Sequence, residues 1–254
     1  MSSILQAKPG HIAATPGQQF HTRDREVLRH TYSNMCAAFC SLKNGRMVHS
    51  EGLLEFDAFH WLEASPDVVE YREQCQQIYY PNGSRMRRYT PDIVATLTSG
   101  VSVCIEVKPF AKTLETDTKH RLACLAEFYR RHHQPFVVLT DKFIRQQPCL
   151  AQLRWLFQNA SYVQPGQQEA RMALGKLARY LPCSIATANI HLTGQRINAE
   201  YLMLAGYLHA LDASEPLSYE TLIAYGTSEM QSRLGQLDIS QTLFWTEQEG
   251  REDA

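Results

Sequence analysis

What the 254-residue sequence lacks narrows it before any motif is considered. No stretch comes near the roughly 18 consecutive apolar residues of a membrane span, and no basic segment leads into an apolar run, so a soluble, cytoplasmic protein without a membrane partner is expected. Charge of one sign is not in excess: 25 Lys and Arg face 26 Asp and Glu, a formal net charge of −1. That excludes a global positive field for nucleic acid, so such a partner must be held by local basic clusters. The seven cysteines are odd in number and lack the dense, regular spacing of a disulfide scaffold, which points to reduced thiols. Cys36 and Cys40 have His30 and His49 nearby, but no second Cys/His pair follows at finger-like spacing, and zinc is not expected. Internal repeats and long low-complexity segments are missing too.

What is present suffices for a core: 44% of residues are hydrophobic and 20% charged, enough for one large domain or two modest ones. Residues 1–22 are polar, rich in Gly, Pro and Gln and aperiodic, and predict a flexible arm. Residues 23–163 alternate helix and strand signals. In "GLLEFDAFHWLEAS", Leu54, Phe59 and Leu62, beside Leu53 and Trp61, mark a helix that "SPDVVEY" ends. "QCQQIYYPNGSRMRRYTPDIVATL" predicts a hairpin, with one strand through Tyr80, the turn "PNGS", and a second strand from Arg87 to Leu97. In "VSVCIEVKPF", Val101, Val103, Ile105 and Val107 alternate with Ser102, Cys104, Glu106 and Lys108, which sets Glu106 and Lys108 on one face. A helix striped by Leu122, Leu125, Ala126 and Tyr129 then leads to a short buried strand in "PFVVLTDKFI", the crossover of a mixed sheet. "LAQLRWLFQNAS" adds a helix and "QPGQQ" a linker. Residues 164–246 predict a group of short helices in "EARMALGKLARYL", "NAEYLMLAGYLHAL" and "SYETLIAYG", and residues 247–254 an acidic tail.

The segment "RRYTPDIVATLTSGVSVCIEVKP" concentrates the chemistry. It brings Asp92, Glu106 and Lys108 onto adjacent strands. Mg²⁺ takes hard oxygen ligands, usually one or two carboxylates completed by waters and phosphate oxygens. Such a site suits phosphodiester hydrolysis, with Lys108 orienting the attacking water or neutralising charge on phosphorus. The same residues also fit a solvated strand face after a Pro-Asp turn, and taken alone they leave both interpretations open.

The surrounding order of motifs carries more. "FCSLKNGRMVHSE", then "SEGLLEFDAFHWLEASPDVVEYREQCQQIYY", then "YTPD" and "EVK" resembles the N-terminal domain of the TnsA family, the endonuclease subunit of heteromeric transposases, over roughly residues 22–160. The family pattern runs from a Glu-Ser-x-x-Glu helix through "DPxVxxYxEQP" to "YTPD" and Glu/Gln-x-Lys. The resemblance implies that Glu55, Asp92 and Glu106 are catalytic metal ligands and Lys108 the catalytic lysine, with Mg²⁺ as cofactor and Mn²⁺ able to substitute. Gly52 stands where the family has Ser, Cys75 follows Gln74 in place of Pro, and Ile93 replaces an aromatic residue, but no proposed ligand is lost.

The resemblance further implies an α/β restriction-endonuclease-like, PD-(D/E)xK core, a mixed sheet flanked by helices, plus a small C-terminal winged-helix-like helical domain. It implies cleavage at the 5′ ends of transposon-end DNA, alongside a TnsB-like transposase and a TnsC-like AAA+ ATPase. A stand-alone restriction or repair nuclease of the same fold and a non-catalytic DNA-binding adaptor are the alternatives. Lys43, Arg46, Arg87 and Arg88 are the candidate DNA contacts; Arg85 and the run Arg130–His133 fit phosphates or plain solvated charge equally well. Leu202, Leu204, Leu208 and Leu211 are expected in the core of the second domain. A chain cut near Ser161 is expected to keep the nuclease fold.

Overall fold

The computed structural model describes residues 37–75, 77–161 and 166–226; the predicted arm at 1–22, His30, Cys36 and the acidic tail lie outside the described residues. The first elements are an antiparallel hairpin, β1 (Ala37–Ser41) and β2 (Arg46–Ser50), in which Phe39 faces Val48. Helix α1 (Leu53–Ala64) follows, buried without a break from Asp57 to Ala64. A helix enclosed on all sides must partner its polar groups. Asp57 is bound by Arg154 and, at 2.9 Å, by Arg145 Nε, and Glu63 accepts from Tyr71 Oη at 2.8 Å and from Ser41. Leu53, beside the Leu54, Phe59 and Leu62 stripe, is 49% exposed at the first turn.

Next come β3 (Val68–Glu73), β4 (Ile78–Asn82), β5 (Arg85–Tyr89), β6 (Ile93–Leu97) and β7 (Ser102–Lys108). The single strand predicted from Arg87 to Leu97 is therefore two. Pro91 lacks an amide donor and fixes its φ, so the ladder of β5 stops before it and the chain restarts in another sheet. β4 and β5 form a separate two-stranded ribbon. β3, assigned from sequence to the end of a helix, is an edge strand of the main sheet, whose order is β3-β6-β7-β8. Short helix α2 (Phe110–Thr113) and α3 (Thr116–Arg131) cross over to β8 (Phe136–Thr140), parallel to β7, while the other neighbours are antiparallel. The sheet is mixed, as expected.

Alternation along β7 explains the layers. Ile105 and Val107 point into the core that holds Phe59, Trp61 and Leu62 of α1. Cys104, on the opposite face, packs with Leu122, Leu125 and Tyr129 of α3 and with Tyr80 and Tyr89 of the ribbon. Both sheet faces are thus covered by helix.

The chain continues through α4 (Asp141–Ile144), α5 (Cys149–Asn159), α6 (Gln167–Leu177), β9 (Cys183–Ser184), α7 (Ile185–His191), α8 (Ala199–Leu204), β10 (Leu208–Ala210) and β11 (Leu222–Tyr225). The last part is not purely helical. Gly206, at φ 78°, ends α8, and the residues predicted as continuing helix become β10; "SYETLIAYG" supplies β11. The three strands form an antiparallel sheet in the order β10-β11-β9. Leu202, Leu204 and Leu208 are buried as expected, but Leu211 is 53% exposed.

The two halves are not separated by a wet interface. α5 packs on α8, and Leu153, Leu156, Leu202 and Met203 belong to one buried cluster with Phe59 and Val107. Gln152 Nε2 donates to Ala213 O at 3.0 Å and to Glu215 O. Asn198 caps α8, accepting from Tyr201 N and Ser161 N at 3.0 Å each, and donates to Asn159 O. The expectation of a self-sufficient first half meets a shared core. Among the described residues, no helix is long and apolar enough to cross a membrane.

Candidate active site

The β6–β7 register pairs Ile93 with Ile105, so one residue earlier Asp92 lies opposite Glu106. That is how a carboxylate after a proline and one inside a strand reach each other: in an antiparallel pair, opposite residues share a face. Asp92 is held by its own strand pair, with Oδ2 accepting from Val107 N at 2.8 Å. Its carbonyl accepts from Gln74 N at 3.0 Å, and Gln74 carries a left-handed φ of 48°. α1 brings Glu55 in its first turn, where Oε2 accepts from Glu51 N at 2.8 Å.

All four residues predicted as catalytic, Glu55, Asp92, Glu106 and Lys108, line one open cleft of about 600 Å³. Glu106 is 2% exposed and its carboxylate is closely surrounded. Oε1 lies 3.1 Å from Lys108 Nζ and 3.0 Å from Arg121 Nη2, and Oε2 accepts from Tyr89 Oη at 2.7 Å. Arg121, on α3, was not found from sequence. Its only sequence signal was a basic residue in the first turns of a helix after "EVK", and that signal is common. Gln74, Tyr89, Thr90 and Glu51 also line the cleft unpredicted.

The electrostatics are those of crowded carboxylates. Burial, then Glu106, then Glu55 push the Asp92 carboxyl well above the usual range. Burial also raises Glu55, against the Glu51 N–H bond that favours its ionised form. Among the described residues, no three His, Cys, Asp or Glu side chains stand ready-placed around a metal ion. The donor set still fits a Mg²⁺-type ion, which takes one or two carboxylates and keeps several waters. Asp92 and Glu55 supply hard oxygens, and their mutual repulsion is what a cation would relieve.

A sign follows for stability. A carboxyl whose folded pKa is raised contributes stability at acid pH that is lost as pH rises through the folded value. In cation-free buffer, Asp92→Asn, which keeps an acceptor for Val107 N, should therefore melt higher than the wild type at neutral and alkaline pH. The gap should close as pH falls towards the ordinary Asp value of about 4. Thermal melts across pH with chelator check this; an Asn variant less stable at every pH would show that the repulsion is not felt.

The predicted DNA contacts divide. Arg88 lines the cleft, and Arg87 is exposed beside it in sequence on β5. Lys43 and Arg46 do not line it. Lys43 Nζ donates to Val68 O at 2.7 Å and to Ser65 O, tying down the end of α1, and burial pulls its ammonium down to about 8. Arg46 is clamped by both oxygens of buried Glu73, at 2.9 and 2.7 Å. Both cations thus have structural partners inside the fold. Cys40 is exposed and His49 Nδ1 lies 4.0 Å from Glu73 Oε1, while His30 and Cys36 lie outside the described residues.

Comparison with known families turns on this segment: residues 65–141 match the family model described as TnsA-like endonuclease N terminal. Over that segment the chain is similar to the N-terminal domain of TnsA-like endonucleases. The match spans β3 to the start of α4 and so includes Asp92, Glu106, Lys108 and Arg121, whereas Glu55 lies before it and rests on the geometry of the cleft. No curated protein matches the chain.

Proposed function

We propose that the chain is the metal-dependent endonuclease subunit of a heteromeric, Tn7-type transposase, cleaving the 5′ ends of the element. The observation that carries this is the gathering of Glu55, Asp92, Glu106 and Lys108 in one cleft of a TnsA-like domain. In this proposal Asp92 and Glu55 hold Mg²⁺ or Mn²⁺, with Glu106 as a third ligand through lone-pair capacity that Tyr89, Lys108 and Arg121 leave unused. The cation, when bound, polarises the scissile phosphate and lowers the pKa of its attacking water. Glu106 anchors the Lys108 ammonium 3.1 Å away, so a positive charge stands fixed at the cleft wall where charge on phosphorus develops. Arg121 keeps Glu106 from drawing all of that charge to itself.

The partners in this reading are transposon-end DNA, a TnsB-like transposase that cuts and joins the 3′ ends, and a TnsC-like AAA+ ATPase. Residues 23–163 form the nuclease part and 164–246 a winged-helix-like module. The small antiparallel sheet behind three helices supports the latter assignment. The test is cleavage of DNA carrying element ends, with the partners, in Mg²⁺, Mn²⁺ and chelator. Activity should appear with either cation and vanish with EDTA; full activity in excess EDTA would overturn the metal mechanism. Efficient cutting by the purified chain alone would favour a stand-alone nuclease.

A further inference from the structure

The ribbon β4–β5 has an unusual charge account. Seven arginines between residues 37 and 161, Arg46, Arg72, Arg121, Arg130, Arg131, Arg145 and Arg154, are ion-paired with carboxylates. The remaining three are Arg85, Arg87 and Arg88, all on β5, all exposed, and none forms an ion pair among the described residues. No acidic residue occurs between Gln77 and Thr90. The ribbon is a concentrated positive site on a chain of net charge −1. It also borders the cleft, since Gln77 and Arg88 line it.

Register assigns the two faces. Tyr80 and Tyr89 are buried, packed towards Leu122 and Leu125 of α3. Tyr79 pairs with Arg88, and Pro81 with Met86, which puts these four on the outer face. There Tyr79 is 60% and Met86 61% exposed. An aromatic ring and a thioether left in water beside the Arg88 guanidinium form a surface that lacks its counterpart.

We infer that this ribbon docks into the major groove of B-form duplex DNA next to the scissile phosphate. The inference rests on the nuclease reading for its position but not for its evidence. A two-stranded ribbon fits a major groove about 12 Å wide. The outer face, with Tyr79, Met86 and Arg88, meets the groove, while Arg85 and Arg87, opposite Asn82 and Tyr80 on the ribbon's other face yet exposed, reach past the strand edge to phosphates on the groove's rim. Held this way, the duplex is registered against the cleft by an element packed rigidly on α3 through Tyr80 and Tyr89.

The experiment measures binding of the full chain to a fluorescent 30-base-pair duplex of arbitrary sequence, in chelator, across salt. Two variants are compared, Arg85→Gln/Arg87→Gln and Tyr79→Ser/Met86→Ser, with Arg171→Gln/Lys176→Gln, two exposed cations on α6, as a charge-matched control and melting curves for folding. The arginine pair should weaken binding about 10–100-fold and lower the log–log salt slope by about 2, since each phosphate contact contributes roughly 0.9. The Tyr79/Met86 pair should weaken it several-fold with the slope unchanged, and the α6 pair Arg171→Gln/Lys176→Gln should bind like the wild type. Wild-type affinity in both ribbon variants, or no duplex binding by the wild type even at low salt, overturns the ribbon proposal while leaving nuclease activity to stand on its own assay. Ribbon-dependent binding without cleavage under any metal or partner condition would do the reverse.

Discussion

Lys108→Ala should lower 5′-strand cleavage by roughly 10²–10³-fold, the usual cost of removing one preorganised charge at a reacting centre. Asp92→Ala, which removes the carboxylate nearest the paired strands, should reduce cleavage to background. The structure explains why the lysine change would be read as chemistry and not as misfolding. Lys108 is one of three groups on Glu106, and Arg121 and Tyr89 remain to satisfy that buried carboxylate after it is gone. No core cavity opens, so the melting temperature should change little. In the proposed transposition reaction the partner would still cut and join the 3′ strands, leaving donor DNA attached. The measurable outcome is a switch from simple insertions to cointegrates; simple insertions at normal frequency from Lys108→Ala would contradict the assignment.

The gathering of Asp92, Glu106 and Lys108 in one cleft was legible because its signal is linear: they fall within 17 residues, and one antiparallel register brings the two strand segments side by side. Arg121 and Tyr89 were not, since each reaches Glu106 through tertiary packing, one from a crossover helix and one from a ribbon outside the main sheet. The internal partners of two cations were hidden for a similar reason. Lys43 and Arg46 look in sequence like surface charges before a helix, but their partners, Val68 O and Glu73, belong to a strand more than 20 residues away that periodicity did not reveal. β3 was missed for the same reason. "VVEYRE" is bounded by no turn signal strong enough to separate it from the helix before it. In the second half, alternation was too short to register: strands of two to four residues carry no period.

The largest expected effect on stability is truncation. Composition places a linker after Ser161 and suggests that the chain can be cut there, yet the core runs straight across it. Leu153 and Leu156 of α5 share one buried cluster with Leu202 and Met203 of α8, and the turn after β10 is latched by Gln152. Fully burying a leucine or methionine side chain stabilises by about 1.5–3 kcal/mol, and whole domains hold only about 5–15 kcal/mol. Exposing several such side chains at once would remove most of that margin, besides leaving Gln152 and Asn159 O without their partners. Residues 1–161 produced alone should therefore be insoluble, or should melt at least about 10 °C below the full chain. Supplying residues 166–254 as a separate chain should recover soluble, cooperatively melting material, because the shared core is then completed again from both sides. Loss of activity in such a truncation would then say nothing about partner docking; point changes on the exposed surface of the second half are needed to locate it. A soluble 1–161 fragment with a cooperative melt within a degree or two of the full chain would show that the two halves fold independently after all.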